Sequence, residues 1–450
     1  MDALKLLVDE VRLTPILISD PPLLNVQGVH QPFTPRLVVE VITRDGVVGL
    51  GETYGDSVYL DLARPLAEAL PGRSVTDMNA LFDLAAAADP ALPAAEGVDA
   101  GGLRGVRTAD KLRLSVVSAF ETACLDALGK TLGLPVHALL GGKVRDSVEY
   151  SAYLFYRWAA HPGATGLPAS PADGPTDEWG ASPTDGPTGE WGAALDPAGI
   201  VAQARRFDRL YGFRSFKLKG GVFEPEREIA AIRALAEEFP GRPLRLDPNG
   251  AWSVETSLAV ARELKDVLEY LEDPASGTPA MAEIAARTDV PLATNMCVTT
   301  FEEVPEAFAK GAVRIVLCDH HYWGGLRRTR ELAALCRTYG VGLSMHSNTH
   351  LGISLAAMTQ VAATLPELDH ACDTHYPWQT EDVVTTRPVF REGRLAVSDA
   401  PGLGVELDRT ALAALHRRWL DDDGTLRERD DAAAMRVADP DWRTPPVPRW

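Results

Sequence analysis

Six residues able to do chemistry recur along this chain at a nearly constant interval. Lys219, Asp247, Glu272, Asn295, Asp319 and His346 are separated by 28, 25, 23, 24 and 27 residues, and each closes a short apolar run. Asp247, Glu272 and Asn295 offer only oxygen ligands, a hard set that suits Mg²⁺ and leaves positions open for a substrate. Lys219 and His346 are potential proton carriers. Lys217 lies on the same strand face as Lys219, where desolvation and a neighbouring ammonium would lower a lysine pKa towards that of a usable base. Asp319, one interval before His346, is placed to fix the imidazole tautomer and raise its basicity. The chemistry that needs a metal between two bases is abstraction of a proton α to a carboxylate, whose enediolate must be held by a cation.

Singly, each feature is commonplace. A Lys-x-Lys is usually a solvated strand edge, Asp-Pro-Asn-Gly is a turn, and a lone histidine is more often structural. For His320 and His321 a structural role is favoured. The shared interval is what binds the residues together.

An interval of 23–28 residues is one βα unit. From about residue 147, apolar runs at 216–218, 244–246, 270–271, 291–293, 314–317 and 342–345 alternate with amphipathic stretches such as EPEREIAAIRALAEEF and LRRTRELAALCRTYG. Seven or eight such units favour a closed parallel barrel, whose catalytic face lies at the C-terminal ends of its strands. Before them, 36–52 reads as a β-hairpin around an Arg-Asp-Gly turn, and 112–132 as a helix stopped by Gly133. The first 140 or so residues therefore predict a small α+β unit.

The 12-residue stretches 169–180 and 181–192 are a tandem duplication differing only at Ala172/Thr184 and Asp177/Gly189. Rich in Gly, Pro and Asp, they read as a flexible surface insertion. The five cysteines are scattered, which suits a reducing compartment rather than a disulfide framework. A formal charge of −19 disfavours nucleic acid and anionic membranes as partners. No apolar run is long enough to span a bilayer, and the first residues lack a signal-peptide layout, so a cytoplasmic enzyme is expected.

Longer motifs carry a resemblance. FKLKGGV (216–222), LRLDPNGAW (244–252), YLEDP (270–274), LATNM (292–296), HSNTHLGISLA (346–356) and DTHYPWQ (373–379) closely resemble glucarate dehydratases of the enolase superfamily. So do GVHQPFTPR (28–36), AYLF (152–155), PGLGVELD (401–408) and RDDAAAM (429–435). The resemblance spans nearly the whole chain. It implies an α/β fold, a modified TIM barrel of (β/α)₇β type with an α+β capping domain formed by both termini. The cap would occupy 1–140, the barrel 141–395 with the insertion at 163–195, and a segment from 396 to 450 would return to the cap.

The resemblance also implies roles. Asp247, Glu272 and Asn295 would hold Mg²⁺; Lys219 and His346 would be the acid/base pair, Asp319 the partner of His346. Lys217 would contact the substrate carboxylate, and Asn249 would complete the catalytic group. Asn25, His30, Tyr153, Ser347, Asn348, His375 and Arg429 would contact a dicarboxylate sugar acid. A homo-oligomer is expected. D-Glucarate is the leading substrate; galactarate or L-idarate, by dehydration or racemisation, is the alternative on the same scaffold. A zinc amidohydrolase would want His-x-His on the first barrel strand, where EYSAYLF offers none. A non-catalytic binding protein would not need the intact set of bases and ligands. Two departures stand out: the short 275–281 stretch lacks a further acidic residue, and 111–115 lacks a threonine found in relatives, leaving Arg113 as its candidate replacement.

Overall fold

The computed structural model describes residues 6–87, 108–163 and 191–450. The cap opens with β1 (Val8–Ser19), a small hairpin of β2 (Leu24–Asn25) and β3 (Gly28–Val29), then β4 (Phe33–Thr43) and β5 (Val48–Tyr54). Helices α1 (Ser57–Ala69), α2 (Ala80–Ala87), α3 (Ala109–Leu132) and α4 (Val136–Leu139) follow. Strands β1, β4 and β5 form an antiparallel sheet with β4 in the middle. Gly49 and Gly51, on one face of β5, let α3 lie close: a Cβ on either would stand 2.0 Å from the carbonyl oxygen of Ala123 or Ala119. As expected from the sequence, α3 ends at Gly133, whose φ of 69° few other residues tolerate.

The barrel comprises β6 (Ser147–Phe155), α5 (Pro197–Tyr211), β7 (Phe216–Lys219), α6 (Pro225–Glu238), β8 (Leu244–Asp247), α7 (Val254–Leu264) and β9 (Leu268–Glu272). It continues through α8 (Thr278–Ala285), β10 (Leu292–Thr294), α9 (Val304–Ala309), β11 (Ile315–Cys318), α10 (Leu326–Tyr339), β12 (Gly342–Met345), α11 (Gly352–Ala362) and β13 (Cys372–Thr374). The eight strands are parallel and run in the order β13-β6-β7-β8-β9-β10-β11-β12. The two ends of the curled sheet meet where the Asp369 amide donates to the Leu343 carbonyl at 3.1 Å. Seven strands are followed by a helix and the eighth is not, the (β/α)₇β pattern. The chain then adds β14 (Arg394–Ala396) antiparallel to β6, and α12 (Arg409–Asp421) and α13 (Asp431–Ala438) pack on β1 and β3 of the cap.

Buried carboxylates of the cap take up the unpaired N–H groups at the starts of barrel helices. Glu52 on β5 accepts from Leu351 (3.0 Å) and Ser354 (2.9 Å) at the start of α11, and Arg36 balances its charge. Glu121 on α3 accepts from Leu326 (2.5 Å) at the start of α10 and from the Arg327 side chain (2.7 Å). Among the described residues no helix is long and apolar enough to cross a membrane.

The expected flexible insertion falls largely at 164–190, outside the described residues. Its last tryptophan is described and is not a surface group. Trp191 packs on Phe207 and Trp378, with centroids at 4.8 and 4.5 Å, and Arg206 lies over its ring. Trp191→Ala should therefore destabilise the fold by roughly 1.5–3 kcal/mol. Excising 181–192, by contrast, should leave the melting temperature nearly unchanged, because it joins Glu178-Trp179-Gly180 to the same Ala193-Ala194 sequence and supplies a tryptophan again. Thermal denaturation of both variants checks this; equal destabilisation would contradict it.

Candidate active site

All six interval residues reach one rim. Lys219, Asp247 and Glu272 are the last residues of β7, β8 and β9, while Asn295, Asp319 and His346 directly follow β10, β11 and β12. The turns that leave the rim are strained: Asn249 (φ 51°), Asp273 (φ 37°) and Thr349 (φ 44°) are non-glycine residues in the left-handed region. Asp273 directly follows Glu272, Asn249 lies two residues beyond Asp247, and Thr349 lies three beyond His346.

The charges are paired closely. Lys219 donates to Asp247, and Lys217 donates to Asp373 and, at 2.6 Å, to Glu272. The Tyr153 hydroxyl also donates to Asp373 at 2.9 Å, and its ring lies 4.4 Å from the Lys217 ammonium. Burial alone would lower the pKa of Lys217, yet Asp373, Glu272 and Asp247 more than offset it and raise it. The sequence-based expectation of a lowered pKa is thus reversed for Lys217. Burial and the neighbouring Asp247 push Glu272 well above the usual carboxylate range, whereas Lys219 and Lys217 overcome burial and hold Asp247 below it.

Buried polar atoms in this region lack partners in a telling way. Glu272 Oε1 and Asn295 Oδ1 make no hydrogen bond. An orphaned buried oxygen is costly, and two on neighbouring strands fit a cation they would share with Asp247. Asp273 sets this up by accepting from Thr294 Oγ1 (2.5 Å) and from the Asn295 amide (2.8 Å); burial and the nearby Asp247 push its pKa up to about 7.

Across the mouth, His346 Nδ1 lies 3.1 Å from Asp319 Oδ2, leaving Nε2 for the site. Asp319 is held in turn by His321, whose Nδ1 is 2.8 Å from Oδ1 and whose Nε2 meets the Glu52 carbonyl at 3.0 Å. Burial opposes ionisation of Asp319, but His321, His346 and His350 keep its pKa well below the usual value. Burial also lowers the pKa of His346, partly offset by Asp319. Tyr322 stacks on His346 at 6.1 Å.

The expected substrate contacts divide into two groups. His30 and His375 stack at 6.3 Å, one from the cap and one from the barrel, and both Nε2 atoms are buried without partners. Asp20 backs His30 at 3.2 Å, and Arg429 lies 3.6 Å from Asp20. Ser347 and Asn348 follow His346 and are buried; Ser347 Oγ accepts from the His375 amide at 3.4 Å. Asn25 is otherwise engaged: its Oδ1 accepts from Gln27 (2.8 Å) and its Nδ2 donates to Asp431 (2.6 Å), which also accepts from Arg429 (3.2 Å). The Asn249 amide donates to Asp247 at 2.9 Å.

Arg113 pairs with Asp110 at 3.1 Å, whose side chain is 76% exposed. Two residues before Arg113, Lys111 is buried, with its ammonium 4.1 Å from the ring of Tyr322, which stacks on His346. Sequence reasoning also passed over Asp373, although it lies 27 residues beyond His346, one more step of the same interval.

A parallel (β/α)₇β barrel under a two-ended cap, with Lys217, Lys219 and His346 at its mouth beside the oxygen-bearing Asp247, Glu272 and Asn295, has the architecture of the enolase type of enzyme. Family models agree: residues 10–141 match the mandelate racemase/muconate lactonizing enzyme N-terminal domain, and 199–411 match an enolase C-terminal domain-like unit. A "probable glucarate dehydratase" of Streptomyces coelicolor is 72% identical over 447 residues, covering 99% of each chain. A solved enolase structure from Thermobispora bispora, complexed with magnesium and formate, is 51% identical with a TM-score of 0.89 over 99% of this chain and 100% of that one. Another from Pseudomonas fluorescens, with magnesium, potassium and tartrate bound, is 44% identical with a TM-score of 0.88 over 99% of each. The chain belongs to the glucarate dehydratase family of sugar-acid hydro-lyases within the enolase superfamily.

Asp319→Asn should withdraw the charge that supports His346, lowering its pKa further. NMR titration should place the His346 midpoint below the ordinary value of about 6.5 in the parent and lower still in the variant. Activity that depends on His346 should fall about 10–100-fold. A midpoint that rises in Asp319→Asn would contradict this.

Proposed function

We propose that this enzyme dehydrates a hexaric acid with Mg²⁺ bound, converting D-glucarate to 5-dehydro-4-deoxy-D-glucarate and accepting L-idarate as the alternative epimer. The observation that carries the reading is the orphaned pair Glu272 Oε1 and Asn295 Oδ1, set between Lys219 on one side of the mouth and His346 on the other. Asp247, Glu272 and Asn295 would hold the ion. When bound, it supplies the positive charge that makes a proton α to a carboxylate removable. The magnesium and tartrate bound to the Pseudomonas relative support a metal and a hydroxy-diacid at such a site.

The chain's own residues do the rest. Lys217 contacts the reacting carboxylate and neutralises charge as the enediolate forms. His346, neutral because burial depresses its pKa, takes the α-proton of D-glucarate through Nε2 while Asp319 steadies the resulting imidazolium. Lys219 approaches the same carbon from the opposite face and takes the proton of the epimer. Protonated His346 then gives its proton to the departing β-hydroxyl, so elimination returns the base to its starting state. The free Nε2 atoms of His30 and His375, with Arg429 behind them, are placed to bind the polar far end of the chain-like substrate.

A screen of hexaric acids with Mg²⁺, reading α-keto acid formation, tests the substrate. Chelation should abolish turnover, added Mg²⁺ should restore it, and Glu272→Ala should lose metal binding by calorimetry. Turnover that survives exhaustive chelation would refute the metal's role.

The bases are tested separately. His346→Gln should stop D-glucarate dehydration while still exchanging the α-proton of L-idarate with deuterium; Lys219→Ala should show the reverse preference. Wild-type glucarate turnover in His346→Gln would remove His346 from the mechanism.

A further inference from the structure

The residue behind Lys219 is a fully buried carboxylate that the proposed chemistry does not use. Glu228, in the first turn of α6, reaches back to the loop that leaves β7. Its Oε2 accepts from the Gly221 amide at 3.0 Å, and its Oε1 accepts from Val222 (2.9 Å) and Phe223 (3.1 Å). These are the residues immediately after Lys219-Gly220. Three successive N–H groups converging on one carboxylate form an anion nest supplied from within the chain.

The loop is closed in on its other sides as well. The Gly220 amide donates to the Asp247 carbonyl at 2.8 Å, tying the loop to the next strand end. A Cβ on Gly220 would stand 2.4 Å from Glu228 Oε2; one on Gly221 would stand 2.4 Å from the Pro248 carbonyl and 2.6 Å from Val26 of the cap. Only glycines allow the carboxylate and the Asp247-Pro248 turn to approach from two sides. From outside, Arg449 donates to the Val222 carbonyl at 3.2 Å and through its amide to the Ala251 carbonyl at 2.6 Å.

We propose that Glu228 is a positioning residue for Lys219, fixing the end of β7 so that the ammonium meets the substrate carbon from its own face. The inference rests on the reading of Lys219 as one of two bases. Burial raises the Glu228 pKa, and even with the three amides and Arg449 opposing it the carboxyl stands at about 7, a cost that a filler side chain would avoid. The support of His346 comes from Asp319, His321 and Tyr322, which follow β11, and from Tyr54 of β5, whereas the clamp after Lys219 comes from Glu228 of α6 and from Arg449. The two bases therefore have separate scaffolds, and damage to one should show in one epimer.

The experiment compares full-length, Mg²⁺-loaded wild type and Glu228→Gln, whose amide keeps one acceptor oxygen and loses the charge. α-Proton exchange of L-idarate in D₂O reads Lys219, and dehydration of D-glucarate reads His346. The expected result is a loss of about 10–100-fold in the kcat of idarate exchange, a much smaller loss with glucarate, and little change in KM for either. Deuterium uptake by the 216–223 backbone, measured without substrate, should rise in Glu228→Gln and, to a lesser degree, in Arg449→Ala, which leaves the buried carboxylate intact should Glu228→Gln fold poorly. Equal losses with both epimers would overturn the positioning role, as would unchanged uptake at 216–223. If wild type exchanges neither acid, the two-base reading fails with its substrates, whereas the uptake result reports on the clamp by itself.

Discussion

Charge buried at the mouth of the barrel must be neutralised within a few ångströms, because water is not there to do it. This constraint organises the structure. Lys217, with no side-chain exposure, draws Asp373 and Glu272; Asp373 draws Tyr153 and Arg245; Arg245 in turn draws Glu269. Strands β6, β7, β8, β9 and β13 each contribute a member, so strand register and charge balance are one requirement. Glu272 Oε1 and Asn295 Oδ1 are where the balance is left open.

The same constraint joins cap to barrel. Glu52 and Glu121 are buried acids that would be untenable alone, and each is satisfied by the N-terminal amides of a barrel helix and by an arginine. The His321 that steadies Asp319 also meets the Glu52 carbonyl, so the cap sheet reaches His346 through one imidazole and one carboxylate. Within the cap, Gly49 and Gly51 admit α3, which carries Glu121, against the sheet.

Much of this was legible in the sequence because a parallel barrel turns spatial order into sequence interval. Lys219, Asp247, Glu272, Asn295, Asp319 and His346 could be set on one rim by counting alone, and Asp373 obeys the same count. Groups brought in from the cap obey no count. The pairing of Asp20 with His30, and of His30 with His375, depends on how a hairpin from one end of the chain docks on a strand from the other. Arg113 and Lys111 illustrate a subtler limit. Two residues apart on a helix, they face nearly opposite ways, so composition nominated the cation and only helical phase could choose it. The raised pKa of Lys217 is hidden for a related reason: Lys219 is two residues away in sequence, while Asp373 reaches it from β13, two strands over across β6.

The placement of α12 and α13 on β1 and β3 bears on the order in which the chain is made. The ribosome releases β1 before the barrel, yet the helices that cover it emerge after every barrel strand. Until then β1 and the 24–29 hairpin lack the helices that complete their packing, and the N-terminal amides of α10 and α11 must await a cap that is itself unfinished. Domains generally fold as units, the N-terminal one first during synthesis. Here the cap that begins before the barrel can be completed only after it, so the faces of β1 and β3 that α12 and α13 cover stay open until every barrel strand has been made.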